Sequence, residues 1–206
     1  MNPLETLSAE HRRIEAALDI LDRLATALEQ DRDVTRDDVA LLATFLRVYA
    51  DAYHHGKEED LLFTAMVAHG FSRETGPVAM MLHEHDEGRR LVSVLRLAGE
   101  GTGPWALRER RRVAGAARMF TQLLRVHIHK EDNILYPMAE AHLPAGVMVR
   151  MVEDFERVEA QHGPEAARWL SAVAAAFPCV AGAGLPSSTT AAPCRACGGS
   201  EVSSCA

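Results

Sequence analysis

Apolar residues recur every three or four positions through most of the chain, the spacing of a helix with one buried face. Leu4, Leu7, Ile14, Leu18, Leu21, Ala25 and Leu28 form the first such seam, with His11 standing where a leucine would continue it. The polar run Asp31-Arg32-Asp33 closes that helix, and Thr35 or Asp37 is placed to cap the next. The second seam is Val39, Ala43, Leu46, Ala50, His54, Glu58, Leu61 and Ala65, stopped by Gly70. A third helix opens near Pro77, which suits a first turn, with the seam Val78, Met81, His85, Gly88, Val92 and Leu95. A Gly/Pro-rich break at 99–104 follows. The fourth seam is Val113, Ala117, Phe120, Leu124, His127, Glu131, Ile134 and Met138, with Pro137 expected to kink the helix or begin its end. A looser fifth pattern runs from about Val147 to about Ala176, with an interruption expected at Gly163-Pro164. No strand pattern competes. Four amphipathic helices with short connections predict an all-α, antiparallel up-down four-helix bundle with an additional C-terminal helix.

From Phe177 the composition shifts to Pro, Gly, Ala, Ser, Thr and Cys. Such a segment buries too little apolar surface to offset its ordering entropy, so the chain divides into a helical domain at 1–176 and a flexible tail at 177–206. All four cysteines (Cys179, Cys194, Cys197 and Cys205) lie in that tail, and no disulfide framework holds the body together. Cys194-x-x-Cys197 is open to three readings: zinc ligation, thiol exchange or electron transfer with a partner, and incidental cysteines.

The net charge of −7 leaves no basic face for nucleic acid. No apolar run approaches the roughly 18 residues of a membrane span. The first ten residues lack the basic start and apolar stretch of a secretory signal. The expectation is a cytoplasmic protein with neither nucleic-acid nor membrane partners.

The ten histidines carry the chemistry. Glu10-His11 is followed after 43 residues by His54-His55-Gly56-Lys57-Glu58, and then by Leu61-Leu62-Phe63. Glu84-His85 is followed after 42 residues by His127-Ile128-His129-Lys130-Glu131, and then by Ile134-Leu135-Tyr136. The simplest description is a duplicated helical hairpin, each copy carrying His and then His-x-x-x-Glu. Single His-x-x-x-acid pairs arise by chance, and this chain has five. The inward seam keeps His54/Glu58 and His127/Glu131 and turns away His11/Glu15, His83/Glu87 and His55/Glu59. Six residues remain: His11, His54, Glu58, His85, His127 and Glu131. In an up-down hairpin, residues equidistant from the turn lie level, and the midpoints fall at about Asp33, in the first predicted turn, and at Ala106, just after the Gly/Pro break. Four imidazoles and two carboxylates thus share one layer of an apolar seam. A pair of metal ions would offset their burial cost, since imidazole suits iron, zinc and copper, and carboxylates bridge two ions.

These residues resemble the hemerythrin-like, or HHE cation-binding, family over about residues 4 to 142. The resemblance rests on the two Glu-His openings and the two His-x-x-x-Glu elements followed by Leu-Phe or Leu-Tyr-Pro. It implies a bundle around two iron ions, a non-haem di-iron centre with an oxo or hydroxo bridge. Glu58 and Glu131 would bridge, and His11, His54, His85 and His127 would be terminal ligands. Oxygen-carrying hemerythrins place two histidines four apart on the third helix, whereas here His83 and His85 face nearly opposite sides. The four-His, two-Glu set looks more like the cytoplasmic branch associated with iron-centre repair and with nitric oxide or peroxide. The implied partners are small diatomic molecules or peroxide. The implied function is reaction with such oxidants in repair or stress response, or, alternatively, binding and sensing without turnover.

The remaining candidates have plainer readings. His55, His69, His83, His129, His142 and His162 read as solvated, with His83 and His129 as reserve proton-relay groups. On this reading His55→Ala and His129→Ala retain most of the metal. Glu10 and Glu84 read first as surface carboxylates and second as groups that orient a neighbour. Tyr49, Tyr53 and Tyr136 read as packing, with Tyr53 the tyrosine to watch as a ligand or radical site.

Overall fold

The structure, a computed structural model, describes residues 2–178. Five helical rods account for nearly all of it, and there is no strand among the described residues. Helix α1 (Pro3–Glu29) starts on Asn2, whose side chain accepts from the Leu4 N–H while Glu5 accepts from the Asn2 N–H. Helix α2 (residues 36–68) starts on Thr35 rather than Asp37: Thr35 and Asp38 cap each other's backbone N–H groups. Helix α3 (Gly76–Gly99) has Pro77 in its first turn, and helix α4 occupies residues 107–142. Helix α5 (Ala145–Ala176) packs along α2 and α1.

The up-down arrangement follows from which turns meet. The α1–α2 and α3–α4 turns lie together at one end, where the Trp105 indole donates to the Val34 carbonyl at 2.6 Å. Arg36 stacks on Trp105, pairs two-pronged with Glu109 at 2.7 Å, and donates to the carbonyls of Ala98 and Gly103. Near that end α2 and α3 touch backbone to backbone. A Cβ on Gly99 would lie 2.8 Å from Ala40 Cα, so only glycine fits.

The apolar interior is two clusters rather than one. The larger runs from Ile14 of α1 through Leu46, Leu95 and Leu124 to the turns. The smaller gathers Leu4, Leu7, Leu62, Phe63, Met66, Val78, Met81, Leu135, Tyr136 and Ala139 at the opposite end. Between them lies a buried polar layer containing His11, His54, Glu58, His85, His127 and Glu131. Every residue of the first expected seam, Leu4 to Leu28, is buried.

The second and fourth seams hold only as far as this layer. Beyond it the sequence spacing puts Leu61, Ala65 and Ile134 inside, but Leu62, Met66 and Leu135 are the core residues and Ile134 is 52% exposed. The cause is local. α2 widens into π-helical turns at Leu46–His55 and Glu58–Phe63, and α4 widens at Glu131–Leu135. Each i→i+5 turn inserts an extra residue, and the buried face slips by one position. In α4 the widened turn also absorbs Pro137, so the helix neither ends nor breaks there but runs on to His142.

Two further expectations need correction. α5 continues through Gly163-Pro164 without interruption. Pro164 is solvent-exposed, while Met151 and Phe155 before it and Leu170 and Val173 after it anchor both halves to the bundle. The packed domain also extends past residue 176, because Phe177 is 1% exposed within the larger core cluster. The cysteines and the rest of the expected tail lie outside the described residues.

Candidate metal centre

α1, α2, α3 and α4 each contribute one imidazole from the six to the polar layer, and α2 and α4 add the carboxylates. All six side chains are at most 1% exposed. Four further carboxylates fix how the imidazoles point. The Nδ1–H of His54 donates to Glu10 at 2.9 Å, and that of His127 donates to Glu84 at 2.9 Å. The Nδ1–H of His11 donates to Asp132 at 2.8 Å, and that of His85 donates to Glu59 at 2.6 Å. Each carboxylate is itself held by a cation: Glu10 by Lys57, Glu84 by Lys130, Asp132 by Arg12 and Glu59 by Arg89. The sequence duplication is thus repeated outward, from histidine to carboxylate to cation. Glu10 and Glu84 are the orienting groups, not ordinary surface carboxylates, and Glu10 is 2% exposed.

With Nδ1 engaged, every Nε2 faces inward. His11 Nε2 lies 3.2 Å and His127 Nε2 lies 3.1 Å from Glu131 Oε2. His54 Nε2 and His85 Nε2 lie 3.7 and 3.6 Å from Glu58 Oε2. Donors sharing one ion at metal distances of ~2.1 Å stand ~3–3.5 Å apart, which is the spacing seen here. Glu58 Oε2 and both Glu131 carboxylate oxygens are buried without a hydrogen-bond partner. His11 and His127 Nε2 come closest, to Glu131 Oε2, without hydrogen-bond alignment. The donor set therefore fits metal ions, and in each of two groups of four the ligand atoms lie within 4.8 Å of one another: His11, His54, Glu58 and Glu131, and His55, Glu58, His85 and His127.

His55 is the residue that the helical seam misplaced. It is 6% exposed, with its ring flat against His85 at 3.8 Å between centroids. The 100° step of a regular helix turns it away from the layer, but the widened turn of α2 carries His54 and His55 inward together. The other five expected to be solvated, His69, His83, His129, His142 and His162, are exposed, and neither His83 nor His129 reaches the layer.

Tyr136, not Tyr53, is the tyrosine at the centre. Its hydroxyl donates to Glu58 Oε1 at 2.6 Å and its ring stacks on His11. Phe63 takes the matching place against His85 in the other half. Tyr53 instead packs under the Lys57 ammonium, and the Tyr49 hydroxyl accepts from Arg13. The Leu-Phe and Leu-Tyr-Pro ends of the duplicated motif already carried this signal in the sequence.

Electrostatics divide the layer. Burial lowers His11, but Asp132 and Glu131 outweigh it and hold the ring up to about 9. His127 is likewise lowered by burial and raised to about 9 by Glu131 and Glu84. Burial drives His54 well below the ordinary imidazole value, and it takes His55 down to about 3, with His85 adding to the effect. Burial and the Glu131 charge push Glu58 well above the usual carboxylate range, whereas His127 and His11 overcome burial to keep Glu131 well below it. Without metal, the layer therefore holds protons on His11 and His127 near neutral pH.

A cavity of about 180 Å³ reaches the layer from outside, with His55 and His85 among its lining residues. Its walls include Leu46, Ala50, Gly88, Val92, Phe120 and Leu124, and Asp51 and Arg89 also line it. No helix among the described residues is long and apolar enough to cross a membrane.

Comparison with known proteins agrees with this geometry. The family model of the hemerythrin HHE cation-binding domain matches residues 2–139. The iron-sulfur cluster repair protein YtfE of Musicola paradisiaca is 30% identical over 137 residues, covering 63% of this chain and 59% of that protein. YtfE of Dickeya chrysanthemi is 29% identical over 137 residues, covering 65% and 62%. YtfE of Salmonella paratyphi B is 34% identical over 96 residues, covering 43% and 41%. The chain thus spans less than two thirds of the length of these curated relatives. No solved structure matches it.

Proposed function

The chain belongs to the hemerythrin HHE cation-binding domain family, and from that premise we propose that it holds two iron ions in the polar layer and reacts there with dioxygen, nitric oxide or peroxide. We propose a cytoplasmic location and a role in iron-centre repair or stress response, the role supported by the similarity to the iron-sulfur cluster repair protein YtfE. The observation that carries the reading is the set of four imidazoles, each locked at Nδ1 by a carboxylate, whose Nε2 atoms stand 3.1–3.7 Å from the buried carboxylate oxygens of Glu58 and Glu131. Glu58 Oε2 and both Glu131 oxygens lack a well-aligned hydrogen bond, which a closed metal-free network would supply.

In this reading Glu58 and Glu131 would be shared by the two ions, and His11, His54, His85 and His127 would complete the set. Bound there, the iron pair would supply one-electron chemistry and open positions for a small ligand. The protein does the rest. The Nδ1–carboxylate bonds fix ring orientation and tautomer, so the site is assembled before metal arrives. Tyr136 keeps its proton on the phenol oxygen, raised well above the ordinary value by burial and the Glu58 charge, and holds Glu58 Oε1 in place. The mostly apolar cavity is of a size to admit a small molecule. A thiol or electron-transfer partner acting through the tail cysteines belongs to the same proposal and lies outside the described residues.

Anaerobic loading with ferrous iron, followed by measured consumption of dioxygen, peroxide or nitric oxide in the presence of a reductant, tests the reaction. Many turnovers per chain are expected. Uptake that stops after one equivalent would replace the reaction with carriage or sensing.

A further inference from the structure

The duplicated spacing pairs each position near an inward histidine with a counterpart in the other half. Helix α2 packs on α3 and helix α4 packs on α1, so the α2–α3 and α1–α4 interfaces match. Three residues after its inward histidine, α1 carries Ile14 and α3 carries Gly88. One residue after it, α4 carries Ile128 and α2 carries His55. Ile14 and Ile128 are 1% and 2% exposed and belong to the larger core cluster. Gly88 and His55 instead line the cavity of about 180 Å³ that extends to His85. Two isoleucines fill one interface, and the matching places in the other border a hollow.

The backbone does not require a glycine at 88. The residue lies inside regular helix, and a Cβ there would meet only the Phe120 ring, at 3.4 Å, beyond its own helix. Glycine weakens a helix interior, and an apolar void forfeits dispersion contacts. What these costs leave behind is space. Charged side chains around that space already have partners: Asp51 has Arg89, Glu84 has Lys130 and Arg96 has Glu100. The remaining walls are mostly apolar, with Leu46, Val92, Phe120 and Leu124 among them. Apolar cavities of this kind stay dry and take up small apolar guests such as xenon. Resting on the reading that the layer reacts with a small molecule, we propose that a molecule the size of dioxygen or nitric oxide reaches it through the α2–α3 cavity, beside His85, and that Gly88 keeps that route open. Access is thus one-sided although the metal-binding spacing is duplicated, because isoleucine closes the matching interface.

The test fills the cavity with Gly88→Ile, which installs the residue of the first half, and separately with Val92→Phe. These positions lie about 4.5 and about 10.5 Å along α3 from His85, so Val92→Phe narrows the cavity without pressing on a proposed ligand. Crystals of the full chain under xenon pressure report the cavity independently of iron. Native and variant chains are also loaded anaerobically with ferrous iron, their iron content is measured, and nitric oxide uptake is followed by stopped-flow absorbance. Xenon is expected in the native cavity and not in the variants. Iron content is expected to stay at the native value while the rate of nitric oxide uptake falls by about tenfold or more, since a close-packed interior passes a molecule only when it fluctuates open. If Gly88→Ile fails to fold or loses iron, Val92→Phe decides. A folded, iron-loaded variant that excludes xenon yet takes up nitric oxide at the native rate overturns the route, as does a native cavity that takes up no xenon. Xenon that still enters after Gly88→Ile overturns the part given to Gly88. Iron-loaded native protein that takes up no nitric oxide, dioxygen or peroxide overturns the proposed reaction and the route with it, whether or not xenon binds.

Discussion

Glu10 and Glu84 perform the same task in the two halves but sit at different depths, and this separates their roles in stability from their roles at the metal. The Lys57 side chain is fully buried and that of Glu10 is 3% exposed. Glu10→Ala would strand the ammonium and free His54 Nδ1. Removing one partner of a buried pair costs about 3–5 kcal/mol. Glu159, 3.8 Å from Lys57 Nζ, and the Tyr53 ring at 3.9 Å soften the loss, so the lower end, about 3 kcal/mol, is expected. At about 2–4 °C per kcal/mol for a domain of this size, Tm should fall by about 6–12 °C. Lys130 is 27% exposed and can hydrate when Glu84 is removed, so Glu84→Ala should cost only about 1 kcal/mol. Both variants lose the carboxylate behind an inward histidine, and iron affinity should fall about 10–100-fold in each. Urea unfolding of the metal-free proteins and chelator competition for iron measure the two effects. Equal destabilisation by the two substitutions, or unchanged iron affinity in both, would refute the reasoning.

Iron loading near pH 7 should release about two protons, from His11 and His127, as calorimetry in buffers of different ionisation enthalpy would show. His11 and His127 are both raised to about 9, so their contribution to metal-free stability is full below about pH 6.5 and lost as pH rises through 9. Urea midpoints of the metal-free protein should fall across that window, and a rise would contradict the assignment. His54→Ala and His127→Ala should each lose metal while His129→Ala, on an exposed residue, retains it, as iron stoichiometry would report. Truncation after Pro178 should leave helicity and iron content nearly unchanged, because every proposed ligand lies before it, whereas Phe177→Ala should cost about 3–5 kcal/mol.

The bundle was legible in the sequence because the α1 seam holds a regular helical period from Leu4 to Leu28, and Gly70 and the Gly/Pro-rich break at 99–104 fall at real turns. The six inward residues of the layer were legible because duplication and seam register select the same set. What the period could not show is where the helix stops being regular. The π-helical turns around His55, Glu58 and Glu131 leave no mark in hydrophobic spacing, since they are set by the packing of the layer itself. For that reason Leu61 and Ile134 were placed inward and His55 outward. Glu10 and Glu84 were ambiguous because a Glu-His pair does not reveal which histidine the glutamate will meet: Glu10 passes its neighbour His11 and binds His54, across to another helix. Pro164 misled because its cost is local, while α5 is held from both sides of it.

The central claim is that the polar layer between the two apolar clusters is a two-iron site. Iron content and Mössbauer spectra of anaerobically purified, iron-loaded protein test it most directly. About two irons per chain, with nitrogen- and oxygen-ligated signals and no sulfur ligation, are expected from a His/Glu donor set. Zinc alone, or less than one metal per chain after loading, would contradict it.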